Sequence, residues 1–70
     1  MEVKNVMNAA ESLMRQHGCH IHPIFISAED DVQYVVRKTR TRMSMSPSFE
    51  SIYAVCVWVL HHPTELDRNV

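Results

Sequence analysis

A single glycine divides this chain. Ahead of Gly18, Val3, Val6, Met7, Ala10, Leu13 and Met14 recur at steps of three and four, while Glu2, Lys4, Asn5, Asn8, Glu11, Ser12, Arg15 and Gln16 fill the other face. That period predicts an amphipathic helix. Arg15 and His17 stand where the last carbonyls of a helix favour positive charge, and a glycine can take the left-handed conformation that closes one, so the helix is expected to stop near His17.

Beyond the glycine the composition changes. Cys19 to Ser27 is β-branched and aromatic with Pro23 inside the run, and a residue that cannot donate to a ladder suits an edge strand or an outward-facing amide position. Ala28 to Asp31 is a polar turn, after which Val32, Tyr34 and Val36 alternate with Gln33, Val35 and Arg37. Together they predict an antiparallel β-hairpin. The second strand runs on into Lys38-Thr39-Arg40-Thr41-Arg42, which has no apolar face and is expected to project past the core or bend into a short third strand.

Ser46 is a suitable N-cap, Pro47 fits the first helical position and Glu50 the first turn, so a second helix is predicted to begin there and to run to Pro63. The expected fold is therefore α+β in α-β-β-α order, a two-layer sandwich with both helices on one face of the hairpin. Seventy residues give room for one domain, placed at residues 1–63, with 64–70 a polar, frayed tail. A chain of this size buries only about 60% of its unfolded surface, which favours a staple or a second copy.

A second copy is expected through the last helix. Phe49, Ile52, Tyr53, Cys56, Val59 and Leu60 form one stripe for the sheet, yet Ala54, Val55, Val57 and Trp58 are apolar too. These four are the predicted homodimer interface, with Trp58 its anchor. Arg37, Lys38, Arg40 and Arg42 are the predicted partner-binding residues, because arginine forks match carboxylate and phosphate geometry. Net charge is −1, so attraction to an anionic partner must come from such a local patch.

No metal site or cofactor is predicted; His20 and His22, projecting from one strand face, come nearest to a chelating pair, but Cys19 faces the other way and the spacing fits no zinc pattern. Catalytic sets are absent as well: Cys56 reads as a buried, inert thiol, and the serines have cap and loop roles without a paired acid and base. The longest apolar run, Ile52 to Leu60, is too short for a membrane span, and two cysteines far apart indicate a reducing, cytoplasmic setting. The functional expectation is a small non-enzymatic binding protein, a homodimeric regulator or inhibitor of bacterial, phage or plasmid type that occupies a partner protein's surface. The alternative is a nucleic-acid-binding regulator that uses the basic segment Arg37 to Arg42.

Overall fold

The computed structural model describes residues 2–26 and 31–68. Helix α1 (Val3–Gln16) is followed by strands β1 (Cys19–Ile26) and β2 (Asp31–Lys38), helix α2 (Ile52–His61) and a 3-10 turn, Pro63–Asp67. This is the α-β-β-α order that the sequence predicts. Gly18 adopts φ +66°, so the helix-ending role expected of the only glycine is the one it plays. Most of the predicted polar turn falls at residues 27–30, outside the described residues; Asp31 opens β2.

The strands pair antiparallel with Cys19 opposite Lys38, Ile21 opposite Val36, Pro23 opposite Tyr34 and Phe25 opposite Val32. Thr39 N–H donates to Gly18 O at 2.9 Å, while Tyr34, Val36 and Lys38 send their backbone groups to the other side of β2. Antiparallel pairs alternate between bonded and non-bonded, so Cys19, Ile21, Pro23 and Phe25 turn their backbone polar groups to the free edge of β1. Pro23, with no N–H, stands at one of those outward positions. The residue that cannot donate sits where β2 asks for no donor.

The second helix departs from expectation at its start. Ser46 and Pro47 do not begin it; Ser51 does, its hydroxyl accepting from Ala54 N–H at 3.1 Å. Residues 43–49 instead return along the second edge of β2, where Lys38 N–H donates to Met43 O and Met45 N–H to Val36 O, and Tyr34 and Phe49 exchange both backbone bonds. Pro47 cannot continue such a ladder, and the pairing slips by two residues between Ser44 and Phe49. Ser46 covers the gap: its hydroxyl accepts from Val36 N–H at 2.9 Å. The third strand-like piece therefore exists, but it comes after the basic stretch. Residues 39–41 form the turn that leads into it, and Arg42 reverses the chain at φ +64°.

One hydrophobic core lies between the helices and the sheet face that carries Cys19 and Val36. Val6, Ala10 and Met14 enter it from α1, Val55, Cys56 and Val59 from α2, and Met45 from the returning segment. Leu66, fully buried, enters from the 3-10 turn. The segment read as a polar tail is thus part of the fold as far as Arg68, whose guanidinium donates to Met45 O at 3.4 Å. Strands of eight residues run roughly 26 Å, whereas a ten-residue helix spans about 15 Å. The hairpin outruns the helix that should cover its far end.

Candidate binding surfaces

The four basic residues predicted to bind a partner do not form one patch. Lys38 shares its strand face with Val36, toward the helices, and its ammonium donates to His17 O at 2.9 Å and to Leu66 O at 2.8 Å. That makes it a tie between α1, β2 and the C-terminal turn. Arg40 lies in the turn after β2 and lines a shallow recess with His17, Asp67 and Arg68, across which His17 Nδ1 meets Asp67 Oδ1 at 2.6 Å. The four split into two pairs, with Lys38 and Arg40 lining this recess and Arg37 and Arg42 another. The physical reason is that β2 ends at Lys38, so the period-two spacing of Lys38, Arg40 and Arg42 never becomes a common face.

Arg37 and Arg42 belong to a second recess of about 300 Å³ on the outer face of the hairpin, lined by His20, His22, Arg37, Thr39 and Arg42. The His20 and His22 rings stand edge to face, 6.3 Å between centroids. His20 Nδ1 shares a 2.7 Å hydrogen bond with the Thr39 hydroxyl, and Arg37 Nε donates to Arg42 O at 3.1 Å. Lost hydration, then the positive charges of Arg37 and His20, hold His22 below the ordinary imidazole value. As a chelating set the pair stays incomplete: Cys19 is buried on the opposite face, His17 is engaged by Asp67, and His62 stacks on Trp58 at 4.9 Å. Among the described residues no group of three metal-ligating side chains comes together.

The four helix residues assigned to a dimer interface are also divided. Val55 is fully buried in the core, while Ala54, Val57 and Trp58 are half-buried. Trp58 is flanked within its own chain by His62 and by Phe49, 6.4 Å away between centroids. The face of α2 that meets the core is set by Val55, Cys56 and Val59, which rotates the helix relative to the stripe drawn from the sequence. Ile52 and Tyr53, placed on that stripe as sheet-facing, are exposed.

The most exposed apolar surface was not among the predicted sites. Phe25 is 75% exposed, and Ile24 and Ile26 are exposed at 39% and 42%. Phe25 lies on the helix-side face of β1 and the two isoleucines on the outer face, so among the described residues apolar side chains are exposed on both faces of this part of β1. A signal for this was present in the sequence: Ile24-Phe25-Ile26 breaks the apolar-polar alternation of a half-buried strand. Between α1, β1 and α2 lies an apolar cleft of about 250 Å³, lined in part by Met7, Met14, Cys19, Ile21, Ile52 and Cys56. Both cysteines are free and buried, and burial pushes both thiols up, which holds them protonated and poor as nucleophiles. No family model, curated protein or solved structure matches the chain.

Proposed function

We propose that this chain acts by binding another protein, with the outer half of the hairpin as the contact surface. The observation that supports this reading is the exposure of Phe25, with Ile24 and Ile26 beside it, at the end of a strand whose outer edge has no partner strand among the described residues. Aromatic side chains supply large contact area at small entropic cost, and an open strand edge offers the backbone carbonyls of Ile21, Pro23 and Phe25 to an extended segment. Pro23 removes one donor from that edge, which disfavours indiscriminate strand addition and leaves recognition to side chains. A regulator or inhibitor that occupies a partner's surface would work in this way, and a homodimer would use the same end of the hairpin in place of α2. The nucleic-acid alternative loses the geometry that motivated it, since Lys38 and Arg40 line one recess and Arg37 and Arg42 another. No helix among the described residues is long and apolar enough to cross a membrane.

Sedimentation and site-specific crosslinking test the proposal together. A photo-reactive phenylalanine analogue at position 25 should give a discrete crosslinked species, either a second copy or one partner protein, whereas the same analogue at exposed Val3 should not. Phe25→Ser should abolish that association while leaving the melting temperature nearly unchanged, because the side chain contributes little to the core. Association that survives Phe25→Ser with Ile24→Ser would sink the reading.

A further inference from the structure

On the outer face of the hairpin two arginines meet two imidazoles and a hydroxyl, and among the described residues no carboxylate lines the recess they share. The parts are held in place locally. His20 stands directly across from Arg37 in the strand register, and its bond to the Thr39 hydroxyl through Nδ1 fixes the ring and leaves Nε2 for another acceptor. Arg37 uses Nε on the Arg42 carbonyl, which fixes the base of the guanidinium fork and leaves its two terminal nitrogens to other acceptors. Arg42 keeps its place by a left-handed backbone that glycine or asparagine would adopt at less strain. Two permanent positive charges close to two titratable rings repel one another, and a negative ligand would relieve the repulsion.

We propose that this recess binds a phosphate-type dianion, the charged group of a phosphate monoester, through Arg37, Arg42, His20 and His22. The placement of charge favours one compact tetrahedral anion over a long polyanion, because the other cations of the segment line a different recess, where the Lys38 ammonium is engaged by the His17 and Leu66 carbonyls. Guanidinium forks donate paired hydrogen bonds to phosphate oxygens, and an imidazole that takes up a proton as the anion arrives adds a charge-assisted bond. The groups facing His22 are His20 and Arg37, with Thr39 and Arg42 completing the lining; all are donors or cations, so in the empty recess they favour the neutral ring and with a dianion present they need not. The proposal is independent of the protein contact assigned to the hairpin end, which uses other residues.

The test is titration of the whole protein with inorganic phosphate at constant ionic strength in chloride, followed by NMR. Saturating shifts should be confined to His20, His22, Arg37, Thr39 and Arg42, and the His22 titration should move upward toward the ordinary imidazole value. Phenyl phosphate should behave like phosphate, while dimethyl phosphate, with one charge, should bind roughly tenfold more weakly or worse. Arg37→Gln and His22→Gln should each weaken phosphate binding roughly tenfold or more, and Lys4→Gln on α1 should leave it unchanged. Should Arg37→Gln disturb the turn, His22→Gln decides, since among the described residues that ring makes no hydrogen bond within the fold. Shifts that rise linearly, shifts spread over all cationic side chains, or a folded His22→Gln with unchanged affinity would overturn the site, and equal binding of dimethyl and phenyl phosphate would overturn the dianion.

Discussion

Lys38 donates from Nζ to the carbonyl of Leu66 at 2.8 Å, joining the end of β2 to the last turn of the fold. The same ammonium takes the His17 carbonyl at the end of α1. Lys38→Met keeps the aliphatic stem and removes both bonds, leaving two part-buried acceptors without this donor. We expect a loss of about 1–3 kcal/mol, read as a drop in melting temperature, with the chain still folded. An unchanged melting temperature would mean that water replaces the ammonium at no cost.

Leu66 itself should matter more. It is fully buried, and Leu66→Ala removes packing between the 3-10 turn and the core, for which roughly 2–5 kcal/mol is usual. Since a domain of this size is marginal to begin with, the variant should unfold near or below ambient temperature. Denaturant titration measures the loss. A small change, under about 0.5 kcal/mol, would restore the view of residues 64–70 as a tail.

Gly18→Ala isolates a backbone effect. A Cβ at this position would meet nothing within 4 Å, so any cost comes from φ +66° alone. We expect a loss of about 1–2 kcal/mol for alanine and a smaller one for asparagine, which tolerates the left-handed region better. Equal stability of all three proteins would show that the turn relaxes.

The thiols give an alkaline limit to stability. Desolvation raises Cys19, partly offset by Lys38 and reinforced by Asp67, and desolvation together with Glu11 raises Cys56. The folded protein therefore keeps protons that the unfolded chain releases once pH passes the ordinary thiol value of 9.0. Stability from these two groups is fully present below that pH and declines as pH rises through it toward the higher folded values. Denaturation at pH 7, 9 and 10 should show the decline, and Cys56→Ala should flatten it. Iodoacetamide should modify the native protein far more slowly than the protein in urea.

Much of the fold could be read locally. The α1 stripe, the glycine that ends it, the hairpin and the outward position of Pro23 each follow from residue chemistry that the neighbours do not alter. Ser46 and Pro47 mislead because a serine hydroxyl accepts a hydrogen bond equally well from a helix N-terminus or from a strand amide; the second edge of β2, which the returning segment occupies and which decides between them, is not a local property. Leu66 stands alone among polar residues, so no period marks it as core. The face on which Lys38 lies follows from alternation, but the two carbonyls that hold it come from segments 21 and 28 residues away. For the outer-face recess the sequence supplied His20, His22, Arg37 and Arg42 as separate suspicions, and only the strand register and the reversal at Arg42 bring them to one place.

The free edge of β1 has a consequence for solvent exchange along that strand. Bonded positions alternate, so amide protons of His20, His22, Ile24 and Ile26 are directed at β2, while those of Ile21 and Phe25 face outward with no ladder partner among the described residues. Deuterium should therefore enter β1 with a period of two, fast at Ile21 and Phe25 and slow between them, and β2, bonded on both sides, should retain its protons along most of its length. A ligand strand seated on the edge would erase the alternation, and the amides of Ile21 and Phe25 would be the first to report it.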